Sequence, residues 1–458
     1  MSTYPKYPEY KDSGIDWLRH VPVGWTIDRA KWSVISCQNG IWGNDPDGED
    51  DLVCIRVADF DRQAFKVATN KLTLRQIPNK DRHGRLLLNG DLLIEKSGGG
   101  DQQLVGAVVE FNQLFPAVTS NFVARMAVTK EMSGRFLTYM HAHLYMGRVN
   151  YRSIKQTTGI QNLDSQSYLD ERIAYPSLLE QEKIARFLDY KTVQIDALIA
   201  KKEMLLARLA EKRTALISHA VTKGLDPTVP MKDSGVAWLG DIPAHWDAKR
   251  LKFIVSILGG GTPNTGKPQY WDGEIPWVSP KDMKSDLIES TEDYLSELGV
   301  KESATKIIPK DAVLVVVRSG ILRHTIPVAR NTVEVTLNQD MKALIPNERL
   351  CPEFLHYFIS GLQDGLLPLW SKQGCTVESI EMGYMVNSLI PLPPPDEQKA
   401  IVRYASQVVE KLDLQFSKVK KVVASLQEYR AALITNAVTG KIDVRNVSIP
   451  ASVDVEAS

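Results

Sequence analysis

The sequence predicts a duplicated α/β chain, in which two segments rich in short strands are each followed by one long helix. Three observations carry this: an internal repeat with a near-constant offset, short apolar runs punctuated by turn residues, and a sustained heptad stripe in each half. The repeat comes first. KDSGIDWL (Lys11–Leu18) returns as KDSGVAWL (Lys232–Leu239). Lys11, Trp17, Pro22 and Trp25 correspond to Lys232, Trp238, Pro243 and Trp246, each 221 positions on. Further along, Glu180-Gln181 align with Glu397-Gln398 at an offset of 217, which holds without a gap to Ala220-Val221-Thr222 and Ala437-Val438-Thr439. Two copies are too few for a solenoid, so this is a duplicated half.

Within each half, runs such as DLVCIRVADF, NGDLLIEKS and DAVLVVVRSG lie between Gly, Pro and Asn turns and read as strands. A long helix follows, opening near Pro176 and Pro395 and closing at Lys223-Gly224 and Gly440. The expected boundaries are residues 1–176 and 224–393 for the mixed segments, 177–223 and 394–440 for the helices, and 441–458 for a tail. Stepping alternately by four and three gives Ile184, Leu188, Lys191, Ile195, Leu198, Lys202, Leu205, Leu209, Lys212 and Leu216. The second helix offers Ile401, Ala405, Val408, Leu412, Gln415, Val419, Val422, Leu426, Tyr429 and Leu433. A 4-3 stripe of this length is a coiled-coil seam. Its lysines and glutamine argue that neither helix stands alone, and that the two pair stripe to stripe over residues 180–218 and 397–435. At ~1.5 Å per residue such helices run to about 55–60 Å, longer than a small domain requires.

Composition excludes more than it selects. The chain is 43% hydrophobic and 24% charged, an ordinary globular balance, with 55 basic against 55 acidic residues. No run approaches a membrane span, and the polar start MSTYPKYPEYKDS does not read as a signal peptide. Cys37, Cys54, Cys351 and Cys375 are scattered without a CxxC pair, which points to a reducing cytoplasm rather than disulfides or structural zinc.

Catalytic motifs are near misses. GTPNTGKP (Gly261–Pro268) fits GxxxxGK but places Pro268 where a phosphate-binding loop needs Ser or Thr, and QYWDGEIPW after it does not read as a helix. Glu95-Lys96 lack the spacing of a nuclease ExK element. His141 and His143 face different sides of a helix and make no metal pair. Local charge says more. No acidic residue lies between Glu131 and Asp164, a stretch holding Arg135, Arg148, Arg152 and Lys155 with Tyr145, Asn150, Tyr151 and Gln156. Between Asp311 and Glu334 the same holds around Arg318, Arg323, His324 and Arg330. Arg beside amides and aromatics in acid-free stretches suits phosphate and base-edge contacts.

The strings IPLPPPDEQKAIVRYASQVVEKLD leading into LQEYRAALITNAVTGKIDVR, and KDSGVAWLGDIPAHWDAKRLKFI leading into GGGTPNTGKPQYWDGEIPWVSPKDM, resemble the DNA specificity subunit of type I restriction–modification enzymes. The resemblance spans residues 10 to 445; CQNGIWGNDPDGEDDLVCIRVADF stands in the place of the Gly-Thr-Pro loop but lacks its Thr-Pro. It implies two target-recognition domains (residues 1–176 and 224–393), each reading half of a split, asymmetric double-stranded DNA site, and two long helices packed antiparallel as a spacer. It also implies two methyltransferase subunits and restriction subunits as partners. Those partners carry S-adenosylmethionine, ATP and Mg²⁺, and this chain carries no cofactor, metal or catalytic residue. The expected DNA-binding residues are Lys96, Ser97, Arg148, Asn150, Arg152, Lys155, Thr262, Lys267, Tyr270, Arg318, Ser319, Arg323, His324 and Lys372. Two competing readings are a nucleotide-binding enzyme acting through Gly261–Lys267 and a coiled-coil adaptor without a DNA role.

Overall fold

The computed structural model describes residues 4–99, 103–157, 159–372, 374 and 376–450, so Cys375 and the end of the tail lie outside the described residues. The chain divides into two compact units, residues 1–202 with 422–458 and residues 203–421. Each long helix is therefore shared. The first runs Leu178–Lys223 and the second Pro395–Val438, several residues beyond the paired stretches read from the stripe.

In the first unit, a six-stranded sheet has the order Val34–Asn39, Val123–Val128, Leu92–Glu95, Val108–Glu110, Lys66–Val67 and Phe60–Asp61. A three-stranded sheet beside it places Asp51–Ile55 between Ala117–Thr119, to which it is parallel, and Leu74–Gln76. The second unit repeats the plan. Val255–Gly259, Met341–Pro346, Val313–Val316, Val328–Asn331 and Leu287–Ile288 form the larger sheet, whose last pair is parallel. Trp271–Val278 lies between Asp293–Leu295 and the parallel Thr336–Leu337 in the smaller one. The runs singled out as strands are central: Leu92–Glu95 and Val313–Val316 are buried at every position. Continuous burial is why they read as unbroken apolar runs rather than alternating ones.

The repeated phrase builds the same small device in each unit. Tyr10–Asp12 pairs with His20–Pro22, and Met231–Asp233 with Asp241–Pro243. Lys11 Nζ donates to the Trp25 carbonyl at 2.6 Å, and Lys232 Nζ to that of Trp246 at 2.6 Å. Asp12 and Asp233 each accept the N–H of the glycine two residues on, at 2.9 Å in both cases. That is an Asx turn, and the left-handed φ of 62° at Gly14 and 75° at Gly235 explains the Asp-Ser-Gly spelling. The device seats a buried tryptophan against the start of a long helix. Trp25 Nε1 and Tyr7 Oη both donate to Glu180 Oε1, at 3.1 and 2.6 Å. In the second unit Glu397 instead meets His245 at 2.8 Å, and Trp246 Nε1 has no partner among the described residues.

The next residue bolts helix to sheet. Gln181 Oε1 accepts from Ser133 N–H at 2.9 Å, and Gln398 Oε1 from Cys351 N–H at 2.7 Å. Ser133 and Cys351 are the caps of the helices Gly134–Met146 and Pro352–Gly361 that back each large sheet. Both glutamines are 1% exposed, so their amides replace hydrogen bonds that these backbone groups cannot obtain from water.

The long helices pack antiparallel. Asp196 meets Arg430 at 2.9 Å in the first unit, and Arg213 meets Asp413 at 3.3 Å in the second. The seam keeps the 4-3 period but not the phase read from sequence. The protected positions are Leu188, Thr192, Ile195, Ile199, Lys202, Leu206, Leu209, Arg213, Leu216 and Ala220, while Leu198, Leu205 and Lys212 face solvent. On the second helix the stripe runs through Val409, Phe416, Val423 and Arg430 rather than Val408, Gln415, Val422 and Tyr429. A helix of 3.6 residues per turn offers two interleaved 4-3 stripes through the same anchors, and the partner selects one. Of the three lysines expected in the seam, only Lys202 is there.

His141 and His143 part company as expected. His141 Nδ1 lies 2.7 Å from Tyr168 Oη inside the first unit, and His143 Nδ1 lies 3.1 Å from Thr435 Oγ1. Burial lowers the His141 ring from 6.5 to about 4.

Two predictions follow from these contacts. Glu180→Ala strands two donors and should cost roughly 1–3 kcal/mol, whereas Glu397→Ala, removing a half-exposed pair, should cost under about 1 kcal/mol; urea unfolding of the two variants measures the difference. Folded His141 stays neutral where the unfolded chain takes up a proton, so its contribution is full above about pH 6.5 and is lost as pH falls toward about 4. His141→Gln should flatten the fall of Tm across that window relative to the unsubstituted chain.

Candidate nucleic-acid interface

Each unit carries a polar cleft at matching positions of the repeat. In the first, a cleft of about 600 Å³ is lined by the strand end Gln38-Asn39, by Arg85 and Lys96, by Lys155 and Asn162 of the hairpin Ile154–Leu163, and by Asp164, Ser165 and Gln166. In the second, a cleft of about 600 Å³ is lined by Lys372, Glu381, Gly383, Tyr384 and Asn387. Lys155 and Lys372 are 217 positions apart, as are Asp164 and Glu381. Both pairs are ion-paired, at 2.9 and 3.9 Å. Both acids also cap a short helix, Asp164 accepting from Ser167 N–H and Glu381 from Gly383 N–H. The Lys155 hydrogen bond, with the capping N–H behind it, lowers the Asp164 carboxyl below its ordinary range. Each lysine is thus held at a cleft rim by a fixed acid.

The strand behind the rim also matches. Leu163 N–H donates to the Lys96 carbonyl at 2.7 Å, and Ile380 N–H to that of Val317 at 2.8 Å. Ser97 then pairs with Asn162, and Arg318 with Ser379. The structure therefore gathers Lys96, Ser97 and Lys155 in the first unit, and Arg318, Ser319, Arg323 and Lys372 around the corresponding strand and bridge of the second. Arg318 Nε donates to Asp340 at 2.6 Å and Arg323 Nε to Glu378 at 3.0 Å, with both guanidinium groups more than half exposed. Thr262 joins this set, donating to Gln339 beside Asp340. Ser319 accepts from Ile321 N–H at 3.5 Å as a cap.

Other expected residues stand apart. Arg148 is exposed and takes a left-handed φ of 55° at the start of the turn Val149–Ser153, which also carries the exposed Arg152. His324 and Lys267 are exposed. Two expectations are corrected by burial. Asn150 is 0% exposed and donates to the Val105 carbonyl at 2.6 Å, so it ties the turn to the sheet and is closed to DNA. Tyr270 is 3% exposed; its hydroxyl donates to Glu302 and accepts from Lys267 at 2.8 Å. Arg135 and Arg330 are also structural, the first bound to Asp189 at 2.7 Å and the second to Glu353 at 2.6 Å.

The phosphate-loop reading fails on geometry. Lys267 is followed by the short turn Pro268–Tyr270 and then the strand Trp271–Val278, so no helix N-terminus faces Gly261–Lys267. Glu95 cannot act with Lys96, because it is 2% exposed and bound to Arg62 at 2.8 Å. Sequence reasoning missed Gln38, Asn39, Arg85, Asn162 and Gln166. The available signal was amides at two strand ends, CQN before a glycine turn and IQNL closing the acid-free stretch.

Residues 243–423 match the family described as Type I restriction modification DNA specificity domain. The type I restriction enzyme EcoR124I/EcoR124II specificity subunit of Escherichia coli is 35% identical over 238 residues, 52% of this chain and 52% of that protein. The type I restriction enzyme MjaIX specificity subunit of Methanocaldococcus jannaschii is 30% identical over 194 residues, 41% of this chain and 44% of that protein. The chain thus matches about half the length of these relatives. Among solved structures, a chain from work on complex assembly and conformational transition of the type I R-M system superposes with a TM-score of 0.67 at 17% identity, over 91% of this chain and 98% of the other. The HsdS subunit from Thermoanaerobacter tengcongensis does so with a TM-score of 0.52 at 16% identity, over 92% and 98%. At these identities the structural likeness concerns the fold. The sequence matches are to type I restriction enzyme specificity subunits and reach about half of this chain.

Proposed function

We propose that this chain reads a split, asymmetric double-stranded DNA site, one half-site per unit, without catalysing any step itself. The observation that carries the reading is the pair of equivalent clefts. The acid-held lysine at each rim is kept, while the side chains around it differ: Lys96, Ser97 and amides in one unit, Arg318 and Arg323 in the other. A kept cation suits the phosphate backbone, which is the same everywhere, and divergent neighbours suit two different base sequences. On this reading the chain works in the cytoplasm within a type I assembly. It offers its duplicated surface to two methyltransferase subunits, and restriction subunits join them. S-adenosylmethionine, ATP and Mg²⁺ belong to those partners.

The reading is tested by mapping methylated positions in DNA from cells carrying this chain with its methyltransferase partner, and by binding measurements on the purified complex. A bipartite site with unlike halves is expected; protection of no DNA sequence would favour the adaptor reading. Lys155→Ala and Lys372→Ala should each weaken binding evenly across sequences and lower the salt slope by about one. Arg318→Ala should relax the second half-site alone, at a cost of roughly 1–3 kcal/mol.

The long helices supply a second test. Four residues inserted near Lys201 advance the helix by ~6 Å and rotate it by ~400°, which nearly preserves the seam; two residues rotate it by ~200° and turn the stripe away. The four-residue insertion should assemble and separate the half-sites by one or two base pairs (~3.4 Å each), and the two-residue insertion should not assemble. An unchanged spacing would show that the helices do not set it.

A further inference from the structure

We infer that Asn39 and Asn162 are the base-reading pair of the first unit and that they read A·T pairs through adenine. The inference rests on the DNA-binding reading above and goes beyond it by assigning residues and a base to one cleft.

Both side chains are exposed and both line the first cleft, and each is held by one of two consecutive residues. Lys96 Nζ donates to Asn39 Oδ1 at 2.9 Å, and Ser97 Oγ donates to Asn162 Oδ1 at 2.6 Å. The first bond fixes the amide orientation by chemistry alone. An ammonium can only donate, so the oxygen of Asn39 must face Lys96 and its NH₂ must face away. No protein acceptor takes the NH₂ of either asparagine among the described residues. What remains at the cleft is an amide with two free donors and one free oxygen lone pair. This combination matches adenine in the major groove, whose N7 accepts and whose N6 donates; guanine offers two acceptors there and suits Arg or Lys instead.

The backbone beneath both residues is constrained. Gly40 follows Asn39, and a Cβ there would lie 2.0 Å from the Thr119 carbonyl, so the strand end is pressed onto its neighbour and only glycine fits. Asn162 lies in the hairpin Ile154–Leu163, paired with Ser97, while the adjacent Gln161 is buried and accepts from Val105 N–H at 3.2 Å. Alternation along that strand therefore turns Asn162 outward. A reading group held on two sheets needs little ordering when DNA arrives.

The second unit has none of this set. The residues 221 or 217 positions on from Asn39, Lys96, Ser97 and Asn162 are Gly260, Val317, Arg318 and Ser379. The assignment is therefore specific to one half-site.

The experiment uses the full chain in complex with its methyltransferase partner, and compares methylated-site maps and salt-dependent DNA binding for the unsubstituted chain, Asn39→Ala, Asn162→Ala and Asn39→Asp. Each alanine variant should lose roughly 5- to 150-fold of its discrimination at an A·T pair of one half-site. The other half-site and the salt slope should stay unchanged, and so report that the complex is folded and bound. Asn39→Asp should lose the donor to adenine N7 and shift preference from adenine toward cytosine, whose N4 amino group donates, at the same position. If the unsubstituted chain shows a bipartite site and both alanine variants keep its base preferences, the asparagine assignment is overturned while the DNA-reading function stands. Loss of preference at a G·C pair instead would also overturn it, since Lys96 would then be the reader. If the unsubstituted complex shows no bipartite site, the reading on which the inference rests falls first.

Discussion

The structure depends on an antiparallel seam in which each copy of a repeated helix completes the other. Arg213 and Arg430 are equivalent residues, 217 positions apart, and so are Asp196 and Asp413. The ion pairs are crossed: Arg430 of the second copy holds Asp196 of the first, and Arg213 of the first holds Asp413 of the second. The two pairs are not equal in weight. Arg430 and Asp196 are 13% and 23% exposed, and the same guanidinium donates to the Gln63 carbonyl and stacks over Phe65 at 5.2 Å. Arg213 and Asp413 are 32% and 54% exposed, where solvent screening leaves little net attraction.

Because the helices must pair, the sheets are tied to them by short polar connections at the helix starts. Glu180 and Gln181 in one unit, and Glu397 and Gln398 in the other, reach back to the tryptophan hairpin and to the helix backing the large sheet. The glutamine connection is the same in both units and fully buried. The glutamate connection has diverged, receiving Trp25 and Tyr7 in one unit and, among the described residues, only His245 in the other. Repetition is thus strict where burial leaves no alternative and looser where water can stand in for a lost partner.

The clefts show the opposite balance. There the backbone frame is common to both units, a strand edge bridged to a second chain segment beside a capped short helix, while the side chains facing outward differ. Exposed positions on a rigid frame can change without a packing cost, which is what the proposed reading of two unlike sequences requires. The cations there are held by acids rather than left loose: Lys155 by Asp164, Arg318 by Asp340 and Arg323 by Glu378. Such pairs contribute little to stability at these exposures, and their effect is to narrow the directions each cation can take.

The duplication, the two long helices with their start and stop residues, the buried strands and the acid-free stretches were all legible in the sequence by itself. Each is a local period or composition, repeated in two copies that can be compared. The helix-phase error shows where local information stops. Leu188 and Ile195 anchor two possible stripes, and tertiary packing, including Tyr139 against Thr192, buries Thr192 and half-buries Leu206 while leaving Leu198 and Leu205 in water. Asn150 and Tyr270 carry the same polar groups as a surface contact, yet Val105 and Glu302, distant in sequence, receive their donors and bury them. Asn39 and Asn162 lie on separate strands far apart in the chain, and become one cleft only because Lys96 and Ser97, consecutive residues, bond one each. Period and propensity are properties of neighbours along the chain; burial and convergence are properties of neighbours in space, and tertiary packing alone decided those.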